Sequence, residues 1–213
     1  MQIPLFVALI LTLAVGYLLG SVPTAYIIGR LYRIDIFKIG SGNMGATNIS
    51  RALGIPLGIV VWFMDSAKGM LAILAAQHLM PDNPALGMAI AATSAIVGHN
   101  WSIIVLFLTG SIRGGKGAAT AFGTLLMLAP AQVVAVSFAL CSAAVVLTRY
   151  MSLGVLILFG LSLPWLIVLT MQNVVPSVYS LYAIITIVLI LYRFRENITR
   201  LANGTERRLG DPA

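Results

Sequence analysis

The thirteen Lys and Arg residues of this 213-residue chain fall into four clusters, and only apolar sequence lies between them. The clusters are Arg30 to Arg51, with Lys68 a few turns further on; Arg113 and Lys116; Arg149; and Arg193 to Arg208. Three other breaks in the apolar sequence, Pro81-Asp82-Asn83-Pro84, Ala129-Pro130 and Gln172-Asn173-Val174-Val175-Pro176, hold no Lys or Arg. Basic loops that alternate with base-free turns follow the positive-inside rule of polytopic membrane proteins. Every Gly-rich, polar segment falls on the basic side, so the chemistry those segments carry is expected to face the cytoplasm.

Composition agrees with a membrane chain. It is 60% hydrophobic and 9% charged, with mean hydropathy +1.00, where a soluble domain is about 25% charged. No linker or low-complexity stretch divides it, so residues 1–213 are expected to form a single polytopic domain. The net charge of +7 fits basic span ends meeting anionic headgroups of the lipid bilayer, and nucleic acid is not an expected partner. Cys141 stands alone in an apolar span, which excludes an internal disulfide and leaves core packing. Residues Ile3 to Leu19 are apolar without a basic segment ahead of them, which reads as a retained span.

A helix crossing hydrocarbon needs about 20 residues. Candidate spans are residues 3–23, 55–79, 84–101, 114–129, 131–148, 153–171 and 177–194. The fold class is therefore expected to be an all-α integral membrane protein with seven transmembrane helices. Charge decides the ambiguous stretch 114–148. One long helix there would carry Arg149 to the base-free side, whereas two helices meeting at Pro130 keep all four basic clusters on one face. The N-terminus is then outside and the C-terminus cytoplasmic. Residues 102–112 are apolar but too short to cross, and are expected to lie at the interface or to re-enter.

The first basic-side loop, IGSGNMGATNISRALG (39–54), interleaves three Gly in six residues with Ser41, Asn43, Thr47 and Asn48. Such a loop offers backbone N–H groups and hydroxyls at short range, and can wrap a phosphate where it runs into a helix N-terminus. A helix beginning near Ala46 sets Thr47 and Arg51 on one face, where a guanidinium can grip two anionic oxygens. The plainer alternative is a flexible turn carrying an orienting Arg. The second loop, GSIRGGKGAATAFG (110–123), fits the first seven positions of a nucleotide-binding P-loop, but Gly117 stands where Mg²⁺ binding needs Ser or Thr. Its Gly donors, Lys116 and a helix starting at Ala118 can still hold a phosphate without a metal.

Two further segments complete the basic side. They are Thr148-Arg149-Tyr150-Met151-Ser152 and the stretch Arg193 to Arg200, in which Arg193, Asn197 and Arg200 share one helical face. Glu196 and Arg200 are spaced for an i, i+4 pair. Asp65 and Lys68, inside the second span, are costly in a membrane and are expected to pair or face a cavity. His99, at the end of the third span, is either a structural group or part of the site. No Cys/His cluster has metal-ligand spacing, no Gly-x-Ser-x-Gly elbow is present, and neither His78 nor His99 is followed by Asp at the spacing of a His-x-x-x-x-Asp dyad. No cofactor is expected.

GSGNMGATNISR (40–51), Asp65-x-x-Lys68-Gly69, GHN (98–100), RGGKGAAT (113–120), RYMSL (149–153) and NITRLANGTE (197–206) occur in this order. Together they resemble the bacterial acyl-phosphate:glycerol-3-phosphate acyltransferases of the PlsY type. The resemblance implies a seven-span enzyme of the bacterial cytoplasmic (inner) membrane, with its active site on the cytoplasmic face. Such an enzyme transfers an acyl chain from acyl phosphate to glycerol 3-phosphate in phospholipid biosynthesis, releasing lysophosphatidic acid and phosphate. A soluble enzyme that supplies the acyl phosphate is an implied partner. By resemblance Ser41, Arg51, Lys116 and Asn197 carry the catalysis. Gly42, Gly45, Thr47, Asn48, His99, Gly114, Gly115, Ser152 and Arg200 bind substrate and phosphate.

An acyl phosphate already has a good leaving group, so the task is positioning and charge neutralisation. No strong general base stands out, and the resemblance allows the phosphate of glycerol 3-phosphate itself to accept the hydroxyl proton. Two positions depart from the family pattern. Ile112-Arg113 replaces an aromatic residue and Lys ahead of Gly-Gly-Lys-Gly, and Phe194 stands where His is common. If that His binds phosphate, Arg193 or Arg195 must compensate. The alternatives are a paralogue with another acyl acceptor, or a membrane transporter of phosphorylated small molecules. A transporter is disfavoured by the absence of an internal repeat and by the gathering of polar motifs at one face.

Overall fold

In hydrocarbon every backbone N–H and C=O must be bonded within the protein, which leaves helices or closed barrels for the apolar runs of this chain. The computed structural model describes residues 3–211; the first two and last two positions of the expected 1–213 domain lie outside the described residues. Helices are α1 (Leu5–Ser21), α2 (Thr24–Leu31), α3 (Ala46–Leu53), α4 (Ile55–Leu79), α5 (Pro84–Asn100), α6 (Ile103–Thr109), α7 (Ala118–Leu128), α8 (Ala131–Thr148), α9 (Met151–Met171) and α10 (Val178–Ala202), with a 3-10 turn at Ile36–Lys38. Among the described residues the only β pairing is one bridge between Ser102 and Arg113.

Among the described residues five helical stretches are long and apolar enough to cross a membrane: Leu5–Leu31, which joins α1 and α2, and then α4, α8, α9 and α10. Two of the seven expected spans are shorter. Helix α5 has 17 residues and α7 has 11, against the about 20 that a crossing needs. Both lie within the bundle, α5 against α1, α4 and α10, and α7 against α4. Helix α7 is short because residues 114–117, expected inside the span, stay in the loop. At the other extreme α10 continues eight residues past the expected end, to Ala202. It stops in a Schellman arrangement, with Gly204 at φ 69°, its N–H on Leu201 O at 3.2 Å and the Thr205 N–H on Arg200 O at 2.8 Å.

Small residues set the helix contacts, as in lipid where close backbone approach replaces the hydrophobic drive. Gly16 of α1 faces Ala91 and Ser94 of α5, Gly20 faces Ala95, and Gly98 of α5 faces the Tyr17 backbone. Between α4 and α7, Gly69 meets Thr120 and Gly123 meets Ser66. A side chain at these positions would strike backbone. The Asp65–Lys68 pair inside α4 is closed as its cost demands: Lys68 Nζ lies 2.9 Å from Asp65 Oδ1 and donates to Val22 O at 2.9 Å, while Thr24 Oγ1 donates to Asp65 Oδ1 at 3.0 Å. Val22 and Thr24 supply these contacts from the break between α1 and α2, where helix-end carbonyls are free. Removing one partner of such a buried pair costs about 3–5 kcal/mol.

Candidate active site

The first loop is folded by its own side chains. Asn48 is buried; its Nδ2 donates to the carbonyls of Ile36, Ile39 and Asn43 at 3.0–3.1 Å, and its Oδ1 accepts from the Ser41 N–H at 3.0 Å. Asn43 Oδ1 accepts from the Gly45 N–H, and its Nδ2 donates to Ser41 Oγ. Gly42 turns the chain at φ 64°, a region costly for L side chains. Helix α3 then starts at Ala46, as its sequence implies, and presents Thr47 and Arg51. Asn48, which the resemblance places among the phosphate contacts, has both ends of its side-chain amide bonded to the loop.

The second loop is held from outside. The Gly115 N–H donates to His99 O at 3.0 Å, and the Ser102 N–H to Arg113 O at 3.1 Å. A Cβ on Gly114 would meet the carbonyls of His99 and Asn100, one on Gly115 the His99 ring, and one on Gly117 the Asn100 amide. From α10, Arg193 Nε and Nη2 donate to Gly115 O at 3.1 and 2.5 Å, while its guanidinium lies 5.4 Å from the Trp101 ring centroid. The Gly-His-Asn end of α5 is thus a platform and Arg193 a clamp. Gly114 and Gly115, which the resemblance places among the phosphate contacts, have no room for a Cβ over α5, and the Gly115 N–H is engaged by His99 O. Buried His99, with Nδ1 3.8 Å from Asp65 Oδ1, supports this loop too.

At the end of α10, Asn197 Oδ1 accepts from Lys116 Nζ, and Asn197 Nδ2 donates to Glu206 Oε1 at 2.6 Å. The same carboxylate accepts from Ser152 Oγ at 2.9 Å and from Arg200 Nε at 2.8 Å. The turn at Gly204 brings Glu206 back onto them. Burial would raise the Glu206 pKa, but the bonds from Asn197, Arg200 and Ser152 outweigh it and hold the carboxyl below its usual range. Arg149, left-handed at φ 62°, fastens the returning tail by donating to Leu209 O at 2.6 and 3.1 Å. Arg51 Nη2 donates to Arg207 O at 3.3 Å.

These parts enclose one cavity of about 800 Å³. Ser41, Gly45, Thr47, Asn48, Arg51, His99, Lys116, Ser152, Asn197, Arg200 and Glu206 line it together with an apolar wall of Ile59, Trp62, Phe122, Phe138, Cys141, Val145, Val155, Leu158 and Phe159. Gly42, Gly114 and Gly115 are not on its surface. Burial, followed by the charge of Arg200, pushes the Lys116 pKa down to about 8, against the opposing pull of Glu206. Among the described residues no three His, Cys, Asp or Glu side chains converge as a metal-binding group.

Residues 10–204 match the family model described as glycerol-3-phosphate acyltransferase. The chain belongs to this family. It is 43% identical to glycerol-3-phosphate acyltransferase 2 of Moorella thermoacetica over 203 residues, covering 95% of this chain and 98% of that one. Identity to the glycerol-3-phosphate acyltransferase of Thermus thermophilus is 40%, over 97% and 98% of the two chains. The crystal structure of PlsY (YgiH), an integral membrane glycerol 3-phosphate acyltransferase in its glycerol 3-phosphate form, superposes with TM-score 0.83 at 33% identity, covering 95% of this chain and 96% of that one. Its lysophosphatidic acid form gives 0.80.

Within this acyltransferase, sequence reasoning does not assign Glu206, Arg193 or Asn100. Glu206 has one readable signal, the Asn203-Gly204 pair after the helix, which marks a left-handed stop that folds the tail back. Arg193 bonds the backbone of a distant loop and Asn100 packs beneath Gly114 and Gly117, and nothing near them in sequence announces it. Neither Arg193 nor Arg195 stands in for a missing His at position 194. Arg193 is spent on Gly115, and exposed Arg195 bonds Tyr192 O.

Proposed function

We propose that the protein transfers an acyl chain from acyl phosphate to glycerol 3-phosphate, forming lysophosphatidic acid and phosphate. The observation that carries this reading is a single cavity that joins cations and hydroxyls at its loop end to an apolar wall between α4, α7, α8 and α9. The wall suits an acyl tail, and Arg51, Lys116 and Arg200 suit phosphate oxygens. The glycerol hydroxyl attacks the acyl carbonyl, the new C–O ester bond forms, the acyl–phosphate C–O bond breaks, and inorganic phosphate leaves with the electron pair. A phosphate oxygen takes the hydroxyl proton. Lys116 and Arg200 stabilise the charge on the departing phosphate, which is where preorganised cations lower the barrier most. Ser41, Thr47 and Ser152 act as hydrogen-bond donors.

The chain forms one polytopic domain of a bacterial inner membrane. Short α5 and α7 complete seven crossings, the N-terminus is outside, and the site faces the cytoplasm, where all four basic clusters gather. Incubating purified protein with palmitoyl phosphate and glycerol 3-phosphate, without added metal or thioester, should yield lysophosphatidic acid. No product in a folded preparation overturns the reading. Cysteine accessibility at Asn83 and Asn173 tests the topology, since labelling of either from the cytoplasmic side alone reverses it.

A further inference from the structure

Phe194 stands on α10 between Arg193 and Asn197, and both of these neighbours act on the loop bearing Lys116. Arg193 holds the carbonyl of Gly115, and Asn197 Oδ1 accepts a hydrogen bond from the Lys116 ammonium. Phe194 is buried at 5% exposure, and its ring centroid lies 5.1 Å from Lys116 Nζ. It lines the same cavity as Lys116 and Asn197. A ring face attracts a cation through its quadrupole, most strongly where water is excluded, yet it offers no hydrogen-bond acceptor of ordinary strength. One side of the ammonium therefore meets Asn197, another meets the ring, and the remainder is left to the cavity.

We propose that Phe194 is a positioning residue for Lys116, whose ring face holds the ammonium charged and aimed at the phosphate end of the cavity. The role rests on the acyl-transfer reading of this site. Without the ring, an apolar side chain of similar size would keep Lys116 dry but supply no attraction. Burial already pushes Lys116 down to about 8, so the ring opposes a loss of charge that is close at hand. The charged and titratable groups around the ammonium are Arg193, Glu196 and Arg200 on α10, Glu206 on the returning tail, and His99, Asp65 and Arg51, which line the cavity from α5, α4 and α3. Lys116 is cationic below its pKa. Phosphate binding that depends on it is therefore full at lower pH and declines as pH rises through about 8.

The test reads Lys116 directly. Full-length protein in bilayer discs is labelled with acetic anhydride between about pH 6 and pH 11, and modification of Lys116 is followed by mass spectrometry. Wild type should give a midpoint near 8. Phe194→Leu and Phe194→Met should lower it by about one unit, whereas Phe194→Tyr, which keeps the ring, should leave it in place. Michaelis constants for glycerol 3-phosphate, measured at pH 7 and pH 9, should follow the same order. A Leu or Met midpoint equal to wild type overturns the proposal, as does a Tyr variant that shifts with them. A ringless variant that unfolds shows itself by a midpoint near the ordinary Lys value, and the other variant then decides. Labelling needs no turnover, so the role of Phe194 can be confirmed or overturned even in a protein that fails to make lysophosphatidic acid.

Discussion

Residues 39–45 and 110–117 form two glycine-rich loops that reach the same cavity, and they are stabilised in opposite ways. The first is internally braced: the side chains of Asn43 and Asn48 bond its own backbone and the 3-10 turn just before it. The second has almost no internal bonds and borrows its shape from α5 beneath and Arg193 above. A self-braced loop can be read from its own residues. A clamped loop can be read only with its clamps, and its glycines are then answers to a neighbour's backbone. Composition alone makes the two look alike, and their contributions to the site differ accordingly. The first presents α3 with Thr47 and Arg51, and the second delivers a single aimed cation.

The sharpest way to break this comparison is to remove that cation. Lys116→Ala should lower kcat/KM by about 10²- to 10³-fold, the effect of losing one buried partner of an ionic contact, with unchanged helical content by circular dichroism. The second loop is a scaffold without its Lys, so the fold should persist. Wild-type turnover in a folded Lys116→Ala protein would leave the second loop with an orienting role only.

Breaking each loop at its support should come next. Asn48→Ala removes an amide whose two N–H groups are shared among three carbonyls and whose oxygen takes the Ser41 N–H, and at about 1 kcal/mol for each of these three groups should cost about 2–3 kcal/mol of stability, read by thermal unfolding in detergent. Gly115→Ala places a Cβ against the His99 ring, an overpacking that costs about 1–3 kcal/mol and should misplace Lys116 more than it lowers stability. Gly110→Ala provides the contrast. Its φ is 72° but open space surrounds it, so only the left-handed cost of about 1–2 kcal/mol remains, with KM near wild type. Equal activity losses at Gly110 and Gly115 would contradict the clamped-loop description.

Much of the fold is legible in the sequence for a simple reason: apolar run length and Pro or Gly punctuation set helix ends. Helices over residues 55–79 and 131–148 keep the bounds expected of them, and the starts at Ala46 and Ala118 follow from the glycines ahead of them. Helix α7 misleads because Gly114 to Gly117 continue the run toward a span, and only their fit on His99 and Asn100 keeps them in a loop. Helix α10 runs past the expected span end to Ala202, as the shared helical face of Arg193, Asn197 and Arg200 requires, and Arg195, Glu196 and Arg200 are good helix formers outside lipid. In the site, residue type and spacing point to Arg51, Lys116, Asn197 and Arg200, the family resemblance adds Ser152, and the fold brings all five to one cavity. Spacing cannot assign Gly115 to structural work, because its partners, His99 and Arg193, lie on other segments. Glu206 is hidden for the same reason.

The smallest expected effect concerns Ser41, and it tests whether the internally braced loop holds a nucleophile. Ser41 is exposed, and its Oγ accepts from Asn43 Nδ2 at 2.9 Å; Asn43 is an amide and cannot take a proton from it. A serine nucleophile needs an adjacent base. The one imidazole on the cavity wall, His99, is packed under Gly115 in the other loop. Ser152 fares no better, since its hydroxyl donates to Glu206, a carboxylate already bonded by Asn197 and Arg200. We therefore predict direct attack by the glycerol hydroxyl on the acyl phosphate. Ser41→Ala should then cost only the net worth of one hydrogen bond to phosphate, about 1–2 kcal/mol or roughly 10-fold in kcat/KM. Initial velocities with both substrates varied should intersect, and mass spectrometry of enzyme incubated with acyl phosphate alone should show no added acyl mass. Parallel kinetics with a stoichiometric acyl-enzyme that disappears in Ser41→Ala would make the first loop the catalytic one and reverse the division of labour between the two.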